Sequence, residues 1–204
     1  MSRRVPSQQR SKEKYEQVLL SAKELIGQKG NDLVTMKEIS KHSGVTLPSI
    51  YQYFPDKTAI LQAIMEDYFS QVREILVTLL KDCDSMQVLS EQLNSGIDIF
   101  YTLVKDEPVV SVLWASLQAS VSLRELDAKD SAINAGIITD KIFSIIGELR
   151  KDEIRTSVTL LVNMIGATVR LAATMPEQQG EAIIEEYKYI ASLRLKSFSE
   201  IKTR

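Results

Sequence analysis

The stretch TMKEISKHSGVTLPSIYQYFPDK, residues 35–57, decides how this chain is read. Thr35 is a good N-cap for a short helix, Met36 to His42, and Glu38 sits in its first turn. Ser43-Gly44 ends that helix. Thr46 caps a second short helix, Leu47 to Tyr53, whose first turn tolerates Pro48. Phe54-Pro55 breaks it, and Asp56 caps a long helix running from Lys57 to about Lys81.

Upstream, Val18, Leu19, Ala22, Leu25 and Ile26 form one apolar stripe in a helix from about Ser11 to Lys29, closed by Gly30. Three short helices joined by tight turns make a helix-turn-helix, with Leu47–Tyr53 as its recognition helix. The chemistry of that helix suits a DNA duplex. A helix fits the major groove and meets base edges with its N-terminal residues, while hydroxyls and Lys hold phosphates. Thr46, Ser49, Tyr51, Gln52, Tyr53 and Lys57 supply such groups. Ile50 and Phe54 face inward and lock the helix. Thr35 and Lys37 stand where they can hold the flanking phosphate backbone.

In its hydroxyl cap, the small residue before Gly-Val, and the Tyr-x-aromatic-Phe-x-x-Lys ending, residues 35–57 closely resemble the DNA-binding signature of the TetR family. The likeness extends over about residues 11–70, and the arm RVPSQQRS resembles arms seen in part of that family. The resemblance implies a bacterial transcriptional repressor with phosphate contacts from Thr35, Ser49, Tyr51, Tyr53 and Lys57. It implies base-edge contacts near Thr46, Leu47, Pro48 and Gln52. Leu47 departs from the hydrogen-bonding residue often found there, and is expected to touch a thymine methyl or nothing. Ser40 and Ser43 replace alanines usual in the second helix, which is expected to weaken local packing slightly.

Working outward, residues 1–10 are polar and basic, contain Pro6, and read as a flexible arm suited to wrapping a duplex. Residues 1–60 hold ten Lys/Arg against six acids, a net of +4, so the other 144 residues carry −6 of the total −2. A basic end on an acidic body fits a local polyanion contact. Beyond the long helix, the pattern gives helices over Ser85 to about Lys105, Pro108 to about Ser122, Asp127 to about Leu149, Asp152 to Met175, and 177 to about 201. No stretch alternates with period two, so the fold class is all-α with about nine helices. The expected domains are an arm at 1–10, a helix-turn-helix domain at 11–56, and a ligand-sensing and dimerisation domain at 57–204 that includes the connecting helix 57–81.

The last two helices are more apolar than solvent-facing helices need to be. Val158, Val162, Ile165, Gly166 and Val169 on one, with Ile183, Tyr187 and Ile190 on the other, are candidates for a homodimer interface built as a four-helix bundle. Gly166, Ala167, Ala172 and Ala173 are placed to permit close helix approach. A two-fold dimer suits a near-palindromic operator with half-sites roughly 34–36 Å apart or further. A mainly apolar effector pocket draws candidates from Tyr68, Phe100, Tyr101, Leu103, Trp114, Leu117, Gln118, Phe143, Asn163, Met164 and Arg170. An effector acts only through its differential affinity for two conformers, with the long helix from Lys57 as the lever. The alternative is a DNA-binding regulator controlled by a protein partner or by no ligand at all.

Other classes fit poorly. One His, one Cys and scattered carboxylates supply no catalytic triad, metal cluster or phosphate loop, so neither an enzyme nor a cofactor or metal site is expected. The lone Cys83 allows no intrachain disulfide, and the N-terminus lacks an apolar signal segment. The longest uncharged stretch around Trp114 falls short of a membrane span. A cytoplasmic protein without a membrane partner is expected.

Overall fold

A computed structural model describes residues 9–117, 120–148 and 150–199. Among them it contains helices and no strand. The helices are α1 Gln9–Lys29, α2 Met36–Ser43, α3 Leu47–Tyr53, α4 Lys57–Leu80, α5 Met86–Asp106, α6 Pro108–Leu117, α7 Val121–Ile146, α8 Lys151–Ala173 and α9 Glu177–Ser199. The all-α architecture of nine helices follows the reading of the sequence. Residues 1–8 of the arm lie outside the described part, and Gln9 and Arg10, expected in the arm, form the first turn of α1.

Helix ends follow local chemistry. Thr35 and Glu38 form a reciprocal capping box, and Gly44 closes α2 at φ +68°. The carboxylate of Asp56 accepts from the Ala59 N–H at 2.8 Å and starts α4. The seventh helix departs from expectation, beginning at Val121 rather than Asp127. Ser120 is the reason, because its hydroxyl and carbonyl accept from the N–H groups of Leu123 and Arg124. Asp127 therefore lies inside the helix.

The chain forms two compact units. Of the described residues, the first comprises 9–69, 107–117 and 120–124. In it α1 packs against α2, α3 and α6. Val18, Ala22, Ile26, Ile39, Ile50, Phe54, Ile60 and Ile64 are all fully buried there. A Cβ added to Gly27 of α1 would stand 3.7 Å from the backbone nitrogen of Val109, so α6 approaches α1 closely at that glycine.

The second unit comprises described residues 70–106, 125–148 and 150–199, with α8, α9 and α5 packed pairwise. Its core includes Leu80, Cys83, Leu89, Ile142, Ile154, Val158, Leu195 and Phe198. Close helix approach was expected at Gly166, Ala167, Ala172 and Ala173. It occurs at Ala172, where a Cβ added to Gly180 of α9 would fall 2.6 Å from the Ala172 carbonyl oxygen. At Gly166 the nearest atom is the mobile end of Arg170, 3.4 Å away.

Candidate nucleic-acid interface

Recognition helix α3 has seven residues and is held from below. Ile50 and Phe54 are fully buried, and the Phe54 N–H closes the helix onto the Ile50 carbonyl at 2.9 Å. Tyr15 of α1 stacks on Phe54 with ring centroids 4.7 Å apart and meets Tyr53 edge-on at 6.1 Å. Tyr15 was not among the sequence candidates. It sits three residues before Val18, one turn up the stripe that marked α1, and that spacing was the available signal.

On this base the outward face carries the expected groups. Thr46, Pro48, Tyr51 and Gln52 are exposed, and Leu47, Ser49 and Tyr53 are half-buried. Tyr51 keeps 49% of its surface in solvent although it is a large aromatic residue. The hydroxyl of Thr46 donates to that of Ser49 at 3.1 Å and makes no backbone cap bond, contrary to its expected role as a side-chain cap.

Ser40 and Ser43 overturn the expectation of weakened packing. The Ser40 hydroxyl donates to the Val45 carbonyl at 2.7 Å, and the Ser43 hydroxyl accepts from the Val45 N–H at 3.2 Å. Both serines therefore pin the turn between α2 and α3, which alanine cannot do. On the flank, Thr35 and Lys37 are exposed. The N–H and hydroxyl of Thr35 donate to Glu38 at 2.9 and 3.0 Å. These bonds, with Lys29 nearby, hold the Glu38 carboxyl below its ordinary range. The Lys57 ammonium turns back into the unit and donates to the carbonyls of Asn31 at 2.7 Å and Val34 at 3.0 Å.

The residues expected around an effector divide between the units. Tyr68 and Trp114 are buried in the first. The Tyr68 hydroxyl donates to Glu107 at 3.3 Å, and the Lys23 ammonium lies 4.7 Å from its ring centroid. Burial, then the Glu107 charge, raises that phenol well above its ordinary range. Phe100, Tyr101, Phe143, Asn163 and Met164 belong to the second unit, and Gln118 lies outside the described residues.

Three of these have well-defined surroundings. Phe143 packs on the second unit's core with Lys151 and Arg155 each 5.8 Å from its ring centroid. Asn163 and Met164 are exposed, and the Asn163 amide donates to the Thr159 carbonyl one turn back. Asn163 is nine residues on from the buried Ile154, half a turn round the helix, so it faces the other way.

The same rotation sorts the interface candidates. Val158, Val169 and Tyr187 are buried within the chain, and the Tyr187 hydroxyl donates to the Leu161 carbonyl at 2.6 Å. Val162, Ile165, Gly166 and Ile183 are half-buried and Ile190 is exposed. The apolar face left in solvent consists of Leu160, Met164 and Leu171 on α8 with Tyr189, Ile190 and Leu193 on α9. Among the described residues, α8 is the one helix long and apolar enough to cross a membrane by length and composition, and this open stripe is much of the reason.

Comparison with known proteins matches this arrangement at both ends of the chain. Residues 18–64 match the model of bacterial regulatory proteins of the tetR family, and residues 87–198 match the tetracyclin repressor-like C-terminal domain. The HTH-type transcriptional repressor BepR of Brucella suis is 24% identical over 164 residues, spanning 76% of this chain and 78% of that protein. A TetR transcriptional regulator from a Rhodococcus species shares the fold with TM-score 0.63 at 19% identity, over 90% of this chain and 97% of that one. RolR in complex with the ligand resorcinol does so with TM-score 0.57 at 18% identity, over 90% and 95%. The chain is thus a helix-turn-helix transcriptional regulator rather than an enzyme, and it belongs to the tetR family.

Proposed function

We propose that this protein is a cytoplasmic, ligand-responsive repressor that binds a near-palindromic operator as a homodimer and is released by a small, largely apolar effector. The observation that carries the DNA half is the recognition helix. Its inner face is fully buried at Ile50, while Tyr51, Gln52, Pro48 and Thr46 stand in solvent. Such a helix offers hydroxyl and amide groups to a groove on a rigid base. Thr35, Lys37, Ser49 and Tyr53 flank the phosphates in this reading. Lys57, already committed to two carbonyls, acts first by fixing the turn before α2.

The dimer half rests on the open stripe of α8 and α9. Six large apolar side chains at 36–60% exposure form a face that a second copy would cover. The effector half is supported by RolR, whose solved complex holds resorcinol. Gel shifts with the DNA upstream of this protein's own coding region, with and without a metabolite panel, test the proposal. A retarded band that a metabolite abolishes is expected. A band that no metabolite changes leaves a regulator without a small-molecule effector, and no band at moderate salt refutes operator binding there.

A further inference from the structure

Within the second unit, α7 presents Asp127, Asp130 and Asn134 along one face, at spacings of three and four residues. Asp130 is the one charged residue buried among the described residues, with 9% of its side chain exposed. Arg73 of α4 pairs with one of its carboxylate oxygens, and the Asn134 amide donates to the other at 2.8 Å. Arg170 of α8 acts on Asp127 through its charge.

Two polar atoms of this cluster are buried without a partner, the Nε of Arg73 and the Oδ1 of Asn134. The orientation of the Asn134 amide is not ambiguous. A carboxylate only accepts, so the NH2 must face Asp130 and the oxygen must point away. The two orphaned atoms are therefore one donor and one acceptor, and their side chains flank the same carboxylate.

We propose that this α4–α7–α8 face recognises the effector, and that the effector is an uncharged molecule presenting a hydroxyl. The proposal rests on the ligand-responsive reading above. A hydroxyl both accepts and donates, so it is the uncharged group whose chemistry answers the Arg73 Nε–H donor and the Asn134 Oδ1 acceptor together. A carboxylate leaves Asn134 Oδ1 unmet and faces Asp130. An ammonium leaves Arg73 Nε unmet and faces a guanidinium. Two Arg and two Asp already balance, so a further buried charge gains no counter-ion and carries a desolvation cost. Because Arg73 lies on the helix that starts at Lys57, occupancy of this site bears directly on α4.

The test is calorimetric titration of the full chain with phenol and cyclohexanol, the hydroxyl-free toluene and methylcyclohexane, and the charged benzoate and benzylamine. The hydroxyl compounds are expected to bind at least about tenfold more tightly than either other class. Asn134→Leu, and Arg73→Lys (which keeps the charge but lacks Nε–H), are each expected to weaken them by roughly ten- to a hundredfold, from the cost of an unmet buried group. Thermal melts report whether each variant folds, and the comparison among probes on the parent chain needs no variant. Equal binding of hydroxyl and hydroxyl-free probes overturns the proposal, as an ordered water alone between the two side chains would produce. So do tighter binding of a charged probe and failure of both hydroxyl probes to bind up to their solubility. The ligand-responsive reading fails separately, if no fraction of a cell's metabolites releases the operator.

Discussion

The ammonium of Lys57 lies 2.7 Å from the carbonyl oxygen of Asn31, and a second bond to Val34 makes it a clamp on the turn between α1 and α2. A charged donor on two carbonyls stabilises that turn by about 1–3 kcal/mol, nearer the lower end because Lys57 is only half-buried. Lys57→Met is expected to lower the melting temperature by several degrees and to weaken binding to every DNA sequence alike. Thermal melts and gel shifts on operator and random duplex check both. An unchanged melt with weakened DNA binding would return Lys57 to a purely phosphate-facing role.

Tyr51 and Gln52 are neighbours on the exposed face of α3 with different expected roles. Tyr51→Ala removes a phosphate contact, so affinity falls on all sequences. Gln52→Ala removes a base-edge contact, so it costs about 1–3 kcal/mol at one base pair and relaxes preference there. Binding to a library of singly substituted operators distinguishes them. A uniform loss from Gln52→Ala contradicts the base-edge assignment.

Gly180 of α9 lies close against Ala172 of α8. A methyl group there meets the rigid Ala172 carbonyl, so Gly180→Ala is expected to destabilise the chain by about 1–3 kcal/mol. Gly136, inside α7, faces open space, and Gly136→Ala is expected to stabilise by about 0.5–1 kcal/mol through helix propensity. Chemical denaturation of the pair measures the contrast, and shifts of equal sign would refute the close approach at Gly180.

Burial raises the carboxyl of Asp127 above its ordinary value of 3.8, with Arg170 pulling the other way, and Asp130 is raised likewise. An acid raised on folding contributes stability that is present below its ordinary value and is lost as pH rises through the raised one. Asp127→Asn removes that loss. The variant is expected to gain stability relative to the parent at pH 7 and to converge on it near pH 4. Glu38, lowered by Thr35, has the opposite sign and loses its contribution as pH falls. Melts at the two pH values decide, and a variant weaker at pH 7 would mean that Arg170 outweighs burial.

Leu160 and Leu193 are 58% and 50% exposed on the open face of α8 and α9. Each such half-exposed side chain covered by a second copy contributes roughly 1–1.5 kcal/mol, about half the value for full burial, and a carboxylate there is strongly unfavourable. Leu160→Asp and Leu193→Asp are expected to give folded monomers by analytical ultracentrifugation. Dimers unaffected by either change would place the interface elsewhere.

The helix-turn-helix was legible because its signals are local. Caps, Gly44 and the Phe54-Pro55 break act within a few residues, and α3 falls where they put it. Ser40 and Ser43 were misjudged because their partner, Val45, lies across a turn whose geometry composition does not reveal. The interface candidates were named from an apolar stripe, but α8 and α9 are apolar on two sides. Only packing against α5 and the second core decides that Val158 and Val169 face in while Leu160 and Leu171 face out. The Arg73–Asp130–Asn134 cluster was not legible because Arg73 lies on α4, 57 residues before Asp130, and their pairing depends on how α4 meets α7.

The docking of α6 on α1 at Gly27 has a bearing on engineering. The half that reads DNA is not a linear module, since α6, far along the chain, packs on α1 within its compact unit. A chimera that grafts residues 1–69 alone onto a foreign sensor strips the partner from α1 and exposes the face around Gly27. Exchange of operator specificity between relatives is better served by transplanting α3 and its turn, or by moving α6 together with the head.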